Sequence, residues 1–391
     1  MNSGIKLHSI IYGGDVLKKS SNSNIDNDKE SLHIKRKRRK KEKRNFFSKL
    51  SKTKKILLSA FLLLILVSSL SVYLLFSNLF KKSNSVVYTN KITDEEKEIN
   101  DSNKHLDVET KIKNILLIGV DKREGEDTGR TDSIMIATVD PENSNVKLTS
   151  ILRDTYVEIP EHGYNKINAA FAIGGVELLS RTIKYNLNIT LDNYITIDFL
   201  NFQNVIDSIG GVNVDVKDTE INEINKYIKE VNGTDSTLLS IPGMQSLNGQ
   251  QALSYSRIRY VGNSDFERAE RQKRVMSASL DKVKNMTALE YPKFLSSIYN
   301  SIDSDMSLAN IITMGNTVYQ MKDLQIQNLR IPSDDNITLG DIYIGSDKAS
   351  VVFPNLQATT EEVLNFIYPG QDFSTVTVPN NSVQRNKLIL N

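Results

Sequence analysis

The chain has 391 residues, 39% of them hydrophobic, room for one large domain with appendages or two modest ones. It has no cysteine, which excludes disulfide frameworks and thiolate metal sites. The formal net charge of +2 hides an asymmetry: residues 1–55 carry 17 Lys and Arg against 5 Asp and Glu, whereas the remainder carries 32 against 42.

A basic head on an acidic body points to a membrane. The stretch Ile56–Phe80 (ILLSAFLLLILVSSLSVYLLFSNLF) has no charged side chain. Roughly 20 apolar residues let a helix cross about 30 Å of hydrocarbon. The run Lys35–Arg44 (KRKRRKKEKR) precedes it, and positive charge stays in the cytoplasm. The N-terminus is therefore expected inside and everything after Lys82 outside, as a single-pass protein of the cell membrane. With 55 residues before the apolar run, the n-region is too long for a cleaved signal peptide. The basic run could meet nucleic acid. Beside a span the anionic leaflet is the simpler partner, so membrane and no nucleic acid is expected.

Residues 1–55 are polar, basic and poor in aromatics, as in a disordered cytoplasmic tail. Residues 81–110 read as an extracytoplasmic stalk, 111–370 as the folded domain and 371–391 as a flexible tail. Asn114–Val120 (NILLIGV) is a short apolar run, as a buried strand requires. Ser133–Val139 and Val146–Leu152 are predicted as further strands, joined by the turn signal Pro141-Glu-Asn-Ser-Asn into a hairpin. A helix is predicted over Val176–Asn186, a strand over Asn193–Phe199, a helix over Phe202–Ile209 and a strand over Val212–Val216. Gln250–Ser254 reads as helical and Phe266–Val283 as a long helix. Strands interleaved with helices predict an α/β fold, a layered α-β-α domain with a central mixed sheet, preceded by a single transmembrane helix.

Histidine offers little. Of four, only His162 falls in the domain, beside a glycine in a loop. A Ser-His-Asp triad or histidine zinc site is therefore not expected. Carboxylates and arginines remain. Asp121 ends the first strand and Asp132 begins the second. If those strands are neighbours, the two carboxylates share a sheet edge, which suits Mg²⁺ or Mn²⁺ completed by phosphate and water. Either aspartate could equally cap a turn. Arg153 ends the third strand, and Arg257 and Arg259 alternate in Tyr255-Ser-Arg-Ile-Arg. Arg268 and Gln272 lie one turn apart on the long helix, with Arg271 beside them. Asp265 is placed to cap that helix, whose N-terminus would favour an anion. Guanidinium forks fit phosphate oxygens. The other reading of this helix is a solvated face with Glu267–Arg271 and Glu270–Arg274 ion pairs. Arginines at the ends of several elements, together with two strand-end aspartates, favour a diphosphate site.

Residues 113–284 resemble the LytR-CpsA-Psr family. The matching stretches are Leu116-Leu-Ile-Gly-Val-Asp121, Gly129-Arg-Thr-Asp132, Ser150-Ile-Leu-Arg-Asp-Thr155, Lys166-Ile-Asn-Ala-Ala170, Ile209-Gly-Gly-Val212, Leu247-Asn-Gly-Gln-Gln-Ala-Leu253, Tyr255-Ser-Arg-Ile-Arg259 and Asp265-Phe-Glu-Arg-Ala-Glu-Arg-Gln272. Each alone is weak, and their order and spacing are specific. The resemblance implies a phosphotransferase that takes a glycopolymer from undecaprenyl pyrophosphate and attaches it to peptidoglycan by a phosphodiester. The product left behind would be undecaprenyl phosphate, and the polymer wall teichoic acid or capsular polysaccharide. It implies Asp121 and Asp132 as Mg²⁺ ligands. It implies Arg130, Arg153, Arg257, Arg259, Arg268 and Gln272 on the pyrophosphate, assisted by Arg123, with Arg153, Arg257, Arg259 and Arg268 as the catalytic set. Asp265 is a candidate base, against its reading as a helix cap. The lipid tail needs an apolar pocket, for which Val176–Ile183 and Phe199–Ile206 are candidates. One departure is Leu152, where the family usually has proline. The rival readings are a phosphohydrolase acting on the lipid pyrophosphate without an acceptor, and a non-catalytic lipid-binding regulator of the envelope.

Overall fold

The computed structural model describes residues 92–108, 110–121, 130–232, 237–259, 261–262, 264–287, 290–344 and 347–380. The chain divides into Met1–Ser77 and Asn78–Asn391, and every described residue lies in the second unit. The basic tail, the apolar run 56–80 and residues 381–391 lie outside the described residues. Among the described residues no helix is long and apolar enough to cross a membrane.

The first described element is α1 (Asp94–Asn103), inside the stretch expected to be a stalk. It is a built part of the domain. Thr93 and Glu96 form a reciprocal capping box. Glu96, 4% exposed, also accepts from Arg181 Nη2 at 2.7 Å. A carboxylate taken out of water this far needs such a partner.

Three strands follow: β1 (Lys113–Asp121), β2 (Arg130–Asp140) and β3 (Asn145–Ile151). β1 is apolar on both faces because both are covered. The β2–β3 hairpin forms at the predicted turn, where Asp140 Oδ1 accepts from the Asn143 backbone N at 3.1 Å. A small hairpin that composition did not signal comes next, β4 (Tyr156–Ile159) and β5 (Gly163–Lys166), with the exposed His162 at its turn. Then α2 (Ile167–Leu187) runs into the predicted helix from nine residues earlier and is broken midway, where Gly175 takes φ 63 and ψ −156.

β6 (Asn193–Asp198) leads into α3 (Phe199–Ser208), capped by Asp198. β7 (Val212–Val216) and β8 (Gly243–Leu247) form a ribbon, with α4 (Asp218–Asn232) between them in sequence. α5 (Gly249–Arg257) and α6 (Ser264–Lys284) follow. Beyond the predicted region lie α7 (Glu290–Ile298), β9 (Asp303–Ser304), α8 (Leu308–Gln320), β10 (Gln325–Ile331), β11 (Ile337–Ile344), β12 (Asp347–Pro354) and α9 (Leu356–Ile367).

The central sheet has the order β10-β3-β2-β1-β6-β9. It is mixed: β1 pairs antiparallel with β2 and parallel with β6, and β3 pairs parallel with β10. Alternation along the strands gives the sheet two apolar faces. Leu116, Ile118 and Ile136 pack with Leu179 and Ile183 of α2 and Val363 and Leu364 of α9. Ile115, Met135 and Leu148 pack on the other face, with Met276 and Leu280 of α6 and Met314 and Val318 of α8. The result is the expected α-β-α layering.

The C-terminal boundary differs from the sequence reading. Within residues 371–380, taken there as part of a flexible tail, Phe373 and Val376 are 2% and 3% exposed in the core. Thr377 exchanges two hydrogen bonds of 2.8 Å with Asn103 at the end of α1. Val378 packs against the same core and Pro379 is buried, so the stretch is held by apolar contacts along its length.

Candidate functional site

The site begins with a register defect. Along β1 and β2, Gly119 pairs with Ser133 but Val120 pairs with Thr131. Asp132 is therefore the extra residue of a β-bulge, a device that re-aims a side chain. Gly119 leaves room for it: an added Cβ would stand 3.1 Å from the Ser133 Cβ. Asp121, two residues beyond Gly119 and on the same face, ends β1 beside the bulge. Both carboxylates face one cavity.

The arginines reach that cavity from separate elements. Arg153 follows β3 and donates from Nη1 to Asp132 Oδ1 at 2.6 Å. Arg259 Nη2 reaches the same oxygen at 3.4 Å. Arg257 ends α5 under the rings of Phe199 and Tyr227, with its guanidinium carbon 4.7 and 5.1 Å from their centroids. Its Nη2 donates to Glu230 at 3.3 Å, and its Nη1 is buried with no hydrogen-bond partner. Arg268, 4% exposed, and Gln272 enter from successive turns of α6. Asp121, Asp132, Arg153, Arg257, Arg259, Arg268 and Gln272 thus line one cavity of about 1190 Å³.

Other predicted residues fall elsewhere. Arg123 and the side chains of Arg130 and Asp265 lie outside the described residues; the backbone places Arg130 opposite Asp121 and Asp265 in the first turn of α6. Arg271, beside the site in sequence, is structural. It is 1% exposed, donates to Glu220 at 2.8 Å and to the carbonyls of Ile258 and Val261 at 3.2 and 3.0 Å. It holds the segment that carries Arg259. Of the two ion pairs in the solvated-face reading of this helix, Glu270–Arg274 does not form: Glu270 takes Lys273 at 2.7 Å, and Arg274 donates to the Tyr255 hydroxyl at 3.1 Å. Glu267 and Arg271 do approach, at 3.8 Å.

Lys166 and Asn168 also line the cavity, and no role was assigned to them from sequence. Lys166 Nζ is 2.8 Å from Asp154, whose other oxygen is 3.4 Å from Arg153 Nε. The Lys-Ile-Asn-Ala-Ala stretch was the available signal. The departure at Leu152 has a structural consequence. Its N–H donates to the Ile331 carbonyl at 2.9 Å, tying β3 to β10 beside Arg153. A proline there would have no N–H to give.

Away from the charged mouth the cavity is apolar, and it runs between the sheet and the α6–α8 layer. Its wall takes Leu117 and Met135 from the sheet, Met276 and Leu280 from α6, Leu295 from α7 and Met314 from α8. Phe202 and Ile206 line it as expected. Val176–Ile183 do not: Leu178, Leu179 and Ile183 pack on the opposite face of the sheet. Tyr291, 4% exposed, lies in the apolar part, where burial pushes its hydroxyl up to about 12.

The donor set of Asp121 and Asp132 fits a hard divalent cation. Mg²⁺ is commonly held by one or two carboxylates and takes its remaining ligands from phosphate and water. Zinc-type chemistry has no support in the described residues, where no histidine lines the cavity.

The site is thus a cationic, carboxylate-bearing mouth that opens on an apolar cavity. The chain belongs to the LytR_cpsA_psr family, whose sequence model matches residues 75–359. Among its relatives is the polyisoprenyl-teichoic acid–peptidoglycan teichoic acid transferase TagU of Enterococcus faecalis. It is 34% identical over 200 residues, covering 49% of this chain and 61% of TagU. The regulatory protein MsrR of Staphylococcus aureus is 32% identical over 221 residues, covering 56% of this chain and 64% of MsrR. The chain thus spans less than two thirds of the length of these relatives. The solved structure of TagT bound to LIIa-WTA superposes with a TM-score of 0.53 at 26% identity, covering 74% of this chain and 96% of TagT. TagT with bound octaprenyl pyrophosphate gives 0.51 at 26%, covering 74% and 98%. Bacillus subtilis TagT itself gives 0.51 at 26%, covering 74% and 97%.

Proposed function

We propose that the protein is a membrane-anchored phosphotransferase of the outer face of the membrane. It takes a glycopolymer from a polyprenyl pyrophosphate and joins it to peptidoglycan. One observation carries the reading: the arginine mouth and the apolar region beyond it belong to a single cavity, which suits a molecule with a pyrophosphate at one end and an isoprenoid tail at the other. The names of TagU and of the lipid-bound TagT structure support it. The apolar run 56–80 would serve as the anchor, with the basic tail inside the cell.

In this reading Arg153, Arg257, Arg259 and Arg268 bind the pyrophosphate, with Gln272 beside them. Their forks hold the phosphorus on the polymer side in line with an acceptor hydroxyl. The hydroxyl oxygen bonds to that phosphorus and gives up its proton to water as the bridging P–O bond breaks, and polyprenyl phosphate leaves with the electron pair. The same arginines neutralise the charge arriving on the leaving phosphate. Asp121 and Asp132 would hold Mg²⁺, which when bound supplies further charge neutralisation at the phosphate oxygens. The polymer is wall teichoic acid or a capsular polysaccharide.

Incubating the full chain with a polyprenyl-pyrophosphate-linked glycopolymer, with and without peptidoglycan, tests this. Polyprenyl phosphate released only when peptidoglycan is present, together with polymer-bearing peptidoglycan, is the expected result. Release without acceptor would mark a hydrolase. Binding without any release would mark a regulator, the reading that the name of MsrR favours.

A further inference from the structure

Arg268 and Val283 both line the cavity from α6. At about 1.5 Å per helical residue they stand about 22 Å apart. Val283 packs against Tyr291, Leu295, Met306 and Ile311, so that cluster lies at the far end from the arginines. Much of the wall is made of methionine, leucine and isoleucine, which adapt their shape. Tyr291 differs. Its ring stacks on Tyr319 at 5.2 Å and 23° between planes. It also lies hard against α8 at Gly315. A Cβ on Gly315 would fall on the Tyr291 hydroxyl, 2.9 Å from its Cζ and 3.0 Å from Leu295 Cδ1. Only glycine lets this ring seat where it does, and both residues line the cavity.

We propose that Tyr291, seated on Gly315, is the floor of the tail pocket and sets how much of an isoprenoid tail the protein buries. This rests on the reading of the cavity as a polyprenyl pyrophosphate site. Each isoprene unit that enters removes apolar surface from water and tightens binding. Units that would reach past the floor turn out through the open side of the cavity and add nothing. Affinity therefore rises with tail length and then levels off, and the length at which it levels is a property of Tyr291 and Gly315.

Dissociation constants of the full chain for farnesyl, geranylgeranyl, hexaprenyl and octaprenyl pyrophosphates, in one detergent, test this. Gly315→Met raises the floor: the plateau moves to a shorter tail, and the longest ligand weakens by at least about tenfold for each isoprene unit excluded. Tyr291→Leu lowers the floor and moves the plateau to a longer tail. Farnesyl pyrophosphate, held near the mouth, binds both variants as it binds the wild type, which also shows that they are folded. If Gly315→Met does not fold, Tyr291→Leu alone decides. An unmoved plateau in the folded variants overturns the assignment and leaves the functional reading intact. Failure of the wild-type chain to bind any of the four overturns the functional reading, and this one with it.

Discussion

Asp132 sits at the extra position of the β1–β2 bulge and accepts from Arg153 Nη1 at 2.6 Å. The two side chains are 18% and 17% exposed. One carboxylate thus orders an arginine arriving from β3 while it stands beside Asp121. A bulge is what permits this, because regular alternation cannot offer neighbouring residues to one cavity.

That placement makes Asp132 doubly sensitive. Asp132→Asn is expected to lower transfer by about 10²-fold or more, the scale on which charge-stabilising groups act. EDTA is expected to abolish transfer in the wild type and added Mg²⁺ to restore it. Release of polyprenyl phosphate is the readout, and full activity in EDTA would remove the metal from the account.

Arg268 and Arg271 are three residues apart and should behave in opposite ways. Arg268→Ala is expected to abolish transfer and pyrophosphate cleavage while the domain keeps its cooperative melt. Arg271→Ala leaves Glu220, 0% exposed in its side chain, without its guanidinium. An uncompensated buried charge of this kind costs about 3–5 kcal/mol. Denaturant midpoints and transfer assays on the two variants separate the roles.

The Gly210-Gly211 pair belongs to the scaffold. Gly211 has φ 79, and an added Cβ would lie 2.6 Å from the Leu247 carbonyl oxygen across the β7–β8 ribbon. Gly211→Ala should destabilise the domain by about 1–3 kcal/mol through strain and that contact. A thermal melt unchanged from wild type would contradict the geometry.

Burial raises the tyrosine hydroxyls. Tyr164 and Tyr291 are each pushed up to about 12 from an ordinary 10.0. In the unfolded chain these phenols ionise first, so stability present below pH 10 is lost as pH rises toward 12. Lys147, whose ammonium is pushed down by burial, carries the opposite sign, and its cost is relieved as the solution becomes more alkaline. Tyr291→Phe is expected to flatten the alkaline loss of stability relative to wild type, measured as denaturant midpoint against pH. An identical slope in both proteins would contradict the burial of that hydroxyl.

The sheet was legible because β1, β2 and β3 are apolar runs separated by clear turn chemistry. The charged mouth was legible because arginines and aspartates at element ends have few structural excuses. α4 is legible too: Ile221, Ile224 and Ile228 recur at helical spacing behind an acidic first turn. β8 (GMQSL) gives no strand signal, because its residue types do not follow its alternating exposure: Met244 is 72% exposed while Gly243 and Gln245 are half-buried. The tunnel wall was hidden for a different reason. Tyr291, Phe294, Leu295 and Ile298 carry the spacing of an amphipathic helix, and a wall around a tunnel reads the same as a wall around a core. The bulge at Asp132 is a matter of strand register, which only the assembled sheet decides.

Mass analysis of lipid co-purified with the full chain bears most directly on the central claim. The account predicts a polyprenyl pyrophosphate species, bare or carrying sugar, retained by the wild type and depleted in Arg153→Ala. Recovery of ordinary phospholipid alone, in equal amounts from both proteins, would contradict it.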